Sequence, residues 1–197
     1  WRAANPELAR EYDRFISREL PDDLEEQLLA ALPAKSNATR RLSGDVIQKL
    51  AEVAPMLVGG SADLAPSTST LIKGAGAIAR NSFGGKNFHF GVREHGMGGI
   101  LNGLALYGGF IPYCATFLVF ADYMRPTVRM ANIMGIQVIY VYTHDSIFVG
   151  EDGPTHEPVE QVASLRLIPG MTVIRPADGP EVAAAWAWAL RHQDGPT

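Results

Sequence analysis

The sequence predicts an α/β protein: a doubly wound, mostly parallel β-sheet with helices on both faces, preceded by an N-terminal helical arm. Two observations carry this prediction. From residue 56 onward, five short apolar runs alternate with helical segments or long loops, which is the pattern of β-α units. One run, residues 138–142, is apolar at every position, as expected of a parallel strand that is covered on both faces.

The N-terminal arm is expected to cover residues 1–36 and to contain two helices. Asn5 and Pro6 are typical of a helix start, and apolar residues recur at helical spacing from Leu8 to Leu20. A second helix should follow Pro21 and end before Pro33. Residues 37–197 should then form one domain. Because the chain starts without Met, directly in a helical pattern, we expect it to be a domain of a longer protein.

The elements after the arm are predicted from apolar runs and helical periodicity. Residues 34–41 are polar and turn-rich, and a helix should follow from about residue 44 to residue 53. Strands are predicted at 56–58, 88–90, 111–114, 136–142 and 171–174, and the intervening helices at about 93–107, 116–134, 158–165 and 179–191.

Composition limits the classes of function. With 47% hydrophobic and 19% charged residues, the chain can bury one sizeable core. A net charge of −4 without blocks of like charge disfavours nucleic acid or an anionic membrane as partner. The single cysteine, Cys114, fits a reducing compartment. Since there is no signal pattern and no apolar run near the about 20 residues of a membrane helix, a cytoplasmic location is expected.

The candidate site lies beyond the carboxyl ends of the predicted strands, where parallel α/β sheets bind their ligands. Four segments follow these strand ends and hold most of the conspicuous polar and aromatic residues: 61–70, 91–94, 115–120 and 143–156. The last of them is long for a compact α/β domain, and long loops in this position are usually functional.

Three groups of residues in these segments could carry chemistry. Glu94 begins a largely apolar helix, so it is either a first-turn acid favoured by the helix dipole or a buried, tuned carboxyl. Asp152 and His156 flank a Gly-Pro-Thr turn and are either a self-capping loop or ligand contacts.

The third group is aromatic: Phe117, Phe120 and Tyr123 recur every three residues, as on one face of a helix. Such a stripe is either core or the wall of a flat pocket for an aromatic ring.

Other signatures are missing: no three His or acidic residues have zinc spacing, so no metal site is expected in this chain. The dinucleotide, P-loop and Gly-x-Ser-x-Gly patterns are also absent.

Five segments together form a combination that is more specific than any one of them. They are GGSADL at 59–64, GVREH at 91–95, TFLVF at 116–120 with YMR at 123–125, THDS at 143–146, and GEDGPTHEPVEQ at 150–161. In this order and spacing they resemble the central, pyrimidine-binding domain of the transketolase family. The resemblance implies a thiamine diphosphate enzyme of the pentose phosphate pathway. Such an enzyme transfers a two-carbon ketol unit from a ketose phosphate to an aldose phosphate.

The resemblance also assigns roles to residues. It implies that Glu94 hydrogen-bonds N1′ of the aminopyrimidine ring and thereby helps to activate the cofactor. The aromatic residues would enclose that ring, and two further residues would line the same cleft: Phe117, Phe120 and Tyr123, then Asp63 and Leu64.

For the sugar phosphate, the resemblance places Arg40, Ser67 and His144 at the phosphate. Asp152 and His156 would bind the sugar hydroxyls, with His156 near the reacting carbonyl. Arg41 is the alternative for this role, but the surrounding residues 38–43 favour Arg40.

The rest of such a site would come from outside this sequence. The resemblance implies a diphosphate and Mg²⁺ site in an N-terminal domain. It also implies a homodimer in which the pyrimidine-binding domain of one subunit faces the diphosphate-binding domain of the other. The isolated chain should then bind cofactor weakly and be inactive. Alternatives are a related thiamine diphosphate enzyme, such as dihydroxyacetone synthase or deoxyxylulose phosphate synthase, and a non-catalytic α/β binding module.

Overall fold

The computed structural model describes residues 1–197 and contains one parallel sheet of four strands in the order β2-β1-β3-β4. The strands are β1 (Leu57–Ser61), β2 (Asn87–His89), β3 (Ile111–Phe117) and β4 (Ile139–Thr143). From β1 the chain moves outward to β2 and then crosses back past β1 to β3. The predicted doubly wound α/β fold is therefore confirmed.

Eight α-helices and one 3₁₀ turn complete the fold. They are α1 (Pro6–Ser17), α2 (Leu24–Ala30), α3 (Thr39–Val53), α4 (Ala65–Thr68), α5 (Glu94–Tyr107), the 3₁₀ turn Leu118–Phe120, α6 (Ala121–Met134), α7 (Gln161–Arg166) and α8 (Gly179–Arg191). None of these helices has the length and apolar character needed to cross a membrane.

The helices cover both faces of the sheet. Helices α2, α3 and α8 bury one apolar cluster, which includes Leu24, Ile47 and Trp186, against one face. Helices α5 and α6 bury a second cluster, which includes Met97 and Met124, against the other. Because both faces are covered, the edge formed by the strand ends is left for ligands.

The two helices of the predicted arm differ in burial. In α1 only Ala9 is buried, and Leu8 and Tyr12 are exposed. In α2, Leu24 and Leu28 are fully buried in the core. The second helix of the arm is thus packed as part of the domain.

Helix α3 begins at Thr39, about five residues earlier than its periodicity predicts. The residues of the additional turn include Leu42 and Ser43, both buried, and Trp186 donates its indole N–H to the Ser43 hydroxyl at 2.9 Å. Packing against α8 therefore outweighs the weak helix propensity of this polar segment.

The predicted fifth strand, residues 171–174, is wrong as a strand, because this segment does not join the sheet. Residues 196–197 lie between it and β4: the Thr172 amide donates to the Pro196 carbonyl at 3.1 Å, and the Tyr140 amide to the Thr197 carbonyl at 2.8 Å. With only this short neighbour, the segment forms no ladder with β4.

The predicted helix 116–134 is also partly wrong, because its first two residues belong to β3. Thr116 pairs with Tyr142 and Phe117 with Thr143 across the β3–β4 ladder. Both residues are buried between the layers, so sheet pairing sets their conformation and helix α6 starts only at Ala121.

Candidate functional site

The carboxyl ends of all four strands meet at one edge of the sheet, and a cavity of about 540 Å³ opens there. Its lining comes from the segments after each strand: Ala62, Asp63 and Leu64 after β1, Val92 and Glu94 after β2, Phe120 and Tyr123 after β3, and His156 after β4. The chain reverses its winding direction between β1 and β3. The cavity therefore lies where doubly wound folds bind ligands.

Glu94 is the buried acid of this cavity. It is the first residue of α5, only 7% exposed, and its carboxylate has no hydrogen-bond partner within the chain. The free N–H groups of the first helical turn favour negative charge there. Arg93 makes no ion pair with Glu94, and its Nη1 donates instead to the Phe90 carbonyl at 3.0 Å. The carboxyl remains available to a ligand.

The aromatic residues form a stacked row along one side of the cavity. Phe117 and Phe120 have ring centroids 6.2 Å apart with planes inclined by 19°, and Phe120 and Tyr123 are 5.9 Å apart at 21°. The prediction of a single helix face is wrong: Phe117 ends β3, Phe120 ends the 3₁₀ turn and Tyr123 lies in α6. The stack nevertheless supplies the flat wall that the pattern indicated, with Phe117 buried beneath it.

His156 lies on the loop after β4 and contacts this stack. Its ring meets Phe120 edge-on, with centroids 5.3 Å apart and planes at 82°. Its Nδ1 lies 2.8 Å from the Thr155 hydroxyl. An imidazole and a buried carboxyl, Glu94, thus line the same cavity, and both can exchange protons with a bound molecule.

A groove of about 410 Å³ runs along β4 on its free side. Its inner part is apolar, and its outer end carries Arg40, His144, Asp145 and Arg175. A cationic and imidazole-bearing end of this kind is suited to an anion such as phosphate.

His144 connects the groove to the aromatic stack. Its backbone has φ of 53°, and its ring lies on Phe117 with centroids 3.7 Å apart. Burial lowers the pKa of His144, and the positive charge of Arg40 lowers it further, whereas Asp152 and Asp145 act in the opposite direction. Arg40 and Asp152 are therefore close enough to His144 to affect its charge.

Arg175 is a polar residue of the groove that sequence reasoning missed. Its Nε and Nη2 donate to Asp145 Oδ2 at 3.0 and 2.9 Å, and Nη2 also donates to the Asp145 carbonyl at 3.2 Å. The available signal was its position directly after the last predicted strand, 171–174, at the same edge of the sheet as His144.

Four sequence candidates line neither cavity, and one of them, Phe117, is buried beneath the aromatic row. Ser67 is exposed on α4, and Asp152 is exposed on the loop after β4. Arg41, the alternative to Arg40, also lines neither cavity. The structure therefore groups Arg40 with His144 and leaves Ser67 apart.

The chain has neither a cluster of metal-binding side chains nor an exposed thiol. No group of three or more His, Cys, Asp and Glu side chains could hold a metal ion. Cys114 is buried, and burial raises the pKa of its thiol, which keeps it protonated and unreactive.

The chain matches proteins of known function over nearly all its length. Residues 35–197 match the family described as transketolase, pyrimidine binding domain. A transketolase of Geobacillus stearothermophilus is 56% identical over 194 residues, which are 98% of this chain and 29% of that protein.

Solved structures of transketolases also match this chain over nearly all its length. The transketolase of Leishmania mexicana superposes with a TM-score of 0.93 at 45% identity, over 100% of this chain and 29% of that one. A Pichia stipitis transketolase in complex with sedoheptulose 7-phosphate superposes at 0.92 and 38% identity, over 99% of this chain and 30% of that one. The chain thus spans less than a third of the length of these relatives, and it belongs to the transketolase family as its pyrimidine-binding domain.

Proposed function

We propose that this chain supplies the pyrimidine-binding half of the site of a thiamine diphosphate-dependent transketolase. The observation that carries the proposal is the buried, unpartnered carboxyl of Glu94, which lines one cavity with the stacked rings of Phe120 and Tyr123.

The residues of the cavity fit an aminopyrimidine ring. Phe120 and Tyr123 offer a flat aromatic wall for stacking, and Leu64 and Val92 add apolar surface. The Glu94 carboxyl can share a proton with a ring nitrogen. A ring of this kind would satisfy the one buried carboxyl that the fold leaves without a partner.

Each residue would then have a distinct task. When bound, thiamine diphosphate supplies an acidic C2–H from which the nucleophile for the ketose carbonyl is generated. Glu94 would hold the proton at N1′ and so favour the tautomer whose exocyclic nitrogen is basic. Phe120 and Tyr123, with Phe117 beneath, would orient the ring, and Asp63 and Leu64 would line the same cleft.

The sugar phosphate would lie between the cavity and the polar end of the groove. Arg40 and His144 would bind the phosphate oxygens, and Ser67 would have to reach them from α4. Asp152 and His156 would bind hydroxyl groups, and His156 would exchange a proton at the ketose carbonyl. The complex of the Pichia stipitis relative with sedoheptulose 7-phosphate supports a phosphorylated ketose as substrate.

The remaining parts of the site would come from the rest of a longer chain. We propose that residues 37–197 form the pyrimidine-binding domain and that residues 1–36 connect it to a preceding domain, which would hold the diphosphate and Mg²⁺. The site would be completed in a cytoplasmic homodimer. Alone, the chain would bind the cofactor weakly and transfer no ketol unit.

The test is ketol transfer from xylulose 5-phosphate to ribose 5-phosphate by the full-length protein, with saturating thiamine diphosphate and Mg²⁺. Glu94→Gln keeps the shape of the side chain but cannot share the proton in the same way, so we expect a loss of about 100-fold or more in kcat. Glu52→Gln on the exposed face of α3 is the matched control and should be fully active.

Three results would contradict the proposal. Absence of transfer by the wild type despite bound cofactor would indicate another thiamine diphosphate enzyme; formaldehyde as the preferred acceptor would indicate dihydroxyacetone synthase. Full activity of Glu94→Gln would remove the carboxyl from the mechanism. Cofactor binding measured by calorimetry separates a binding defect from a chemical one.

A further inference from the structure

We propose that Gln161 is a positioning residue that holds the loop carrying His156 against the helix carrying Tyr123. The inference rests on the proposed function, because it concerns the placement of His156 in the same cavity. Gln161 does not line that cavity itself.

The side-chain amide of Gln161 is buried and uses both of its ends. It is 4% exposed and begins α7. Its Oε1 accepts from the Val159 amide at 2.9 Å, and its Nε2 donates to Asp122 Oδ2 at 2.9 Å. Because a backbone N–H can only donate and a carboxylate can only accept, the amide can satisfy both partners in this orientation alone.

These two bonds connect the two sides of the cavity. Asp122 immediately precedes Tyr123 in α6, and Val159 follows His156 by three residues. The contact that they flank is the edge-on packing of His156 on Phe120. A bridge from Asp122 to Val159 therefore limits how far the imidazole can move from the aromatic stack.

The loop has no other hydrogen bond to the body near His156. Every hydrogen bond of residues 146–156 stays within the loop, such as those from the Gly153 amide to the Gly150 carbonyl and from the His156 amide to the Gly153 carbonyl. At its start the loop is held by the Asp145–Arg175 pair. Gln161 is the corresponding anchor at the end that carries His156.

The helices on either side are joined a second time behind the bridge. Arg125 Nη1 donates to the Ser164 hydroxyl at 2.9 Å, and that hydroxyl donates to the Gln161 carbonyl at 2.8 Å. Removal of the Gln161 amide contact should therefore loosen the loop without separating α7 from α6. This makes the positioning role separable from a folding role.

The chemistry of the pair allows an exchange experiment. Gln161→Glu places a carboxylate against Asp122, and the two acceptors repel each other. Asp122→Asn alone keeps an oxygen that can accept from Gln161. The double variant Gln161→Glu, Asp122→Asn restores a donor and an acceptor with their positions exchanged, while the Val159 amide still has its acceptor.

The four proteins are compared as full-length enzymes by kcat and KM for xylulose 5-phosphate. We expect Gln161→Glu to lose about 10-fold or more in kcat/KM, because small displacements of a reacting group cost up to about 100-fold. Asp122→Asn should stay within about 3-fold of the wild type, and the double variant should recover most of the loss.

A second background distinguishes positioning of His156 from general damage. In His156→Ala, the substitution Gln161→Glu should have little additional effect, since the group it positions is gone. An equal loss in both backgrounds, no loss for Gln161→Glu, or no recovery in the double variant would each overturn the proposal.

Hydrogen exchange of residues 146–156, measured by mass spectrometry on the same proteins, tests the anchor independently of catalysis. Gln161→Glu should accelerate exchange there, and the double variant should restore it. If the wild type catalysed no ketol transfer, the proposed function would fail, and unchanged exchange would separately overturn the anchor.

Discussion

The imidazole of His144 lies nearly flat on the ring of Phe117, with centroids 3.7 Å apart and planes inclined by 27°. This contact places a titratable group between the aromatic stack and the polar end of the groove. Its burial lowers the pKa of His144 below the ordinary value of 6.5. The unfolded chain therefore binds more protons than the folded chain between the two pKa values.

From this difference we predict that His144 reduces stability in acid. Stability should rise with pH wherever the unfolded state binds more protons, so the benefit of a neutral His144 is present above about pH 6.5 and is lost as pH falls through the lower, folded pKa. His144→Gln should flatten the acid side of a urea-unfolding profile measured from about pH 5 to about pH 8. Exposed His95→Gln on α5 is the control, and an unchanged profile for His144→Gln would contradict the prediction.

Two substitutions should move the pKa of His144 in opposite directions. Arg40 lowers this pKa and Asp152 raises it. Arg40→Gln should therefore raise the pKa and Asp152→Asn should lower it, as measured by NMR titration of the His144 ring. Arg41→Gln should change it little, since Arg41 lies outside the groove. A shift with Arg41→Gln and none with Arg40→Gln would reverse the assignment of the phosphate-binding arginine.

The location of the cavity was predictable from sequence because it follows from topology. Parallel strands place Asp63, Glu94 and His156 at one edge whatever the details of the loops, and the structure brings all three to one cavity. The prediction that Phe117 and Phe120 lie on one helix was wrong because it depended on pairing between residues distant in the sequence. Phe117 has helical spacing to Phe120, but its partner across the β3–β4 ladder is Thr143.

Arg175 was missed for a related reason. Its importance lies in the contact with Asp145, and a pair 30 residues apart along the chain leaves no local pattern. Gln161 is similar, because its partner Asp122 lies on another helix. Local periodicity predicts elements and their ends, whereas contacts between side chains of different elements require the folded chain.

The last prediction concerns two neighbouring glycines in α5, the helix that begins at Glu94. A methyl group at Gly98 would collide with the Thr127 hydroxyl of α6, whereas one at Gly99 would meet nothing within 4 Å. Gly98→Ala should push apart the helices that carry Glu94 and Tyr123, and we expect it to lower the free energy of unfolding by about 1–3 kcal/mol.

Gly99→Ala should instead raise that free energy by about 0.5–1 kcal/mol, because alanine loses less backbone entropy in a helix than glycine does. Urea unfolding of both variants of the 197-residue chain measures the two effects against the same wild type. The pair separates a packing requirement from helix propensity, since the residue change is identical and the positions are adjacent. Equal effects of the two substitutions would show that close approach of α5 to α6 at Gly98 is not required, and the geometry between Glu94 and Tyr123 would then have to be maintained by other contacts.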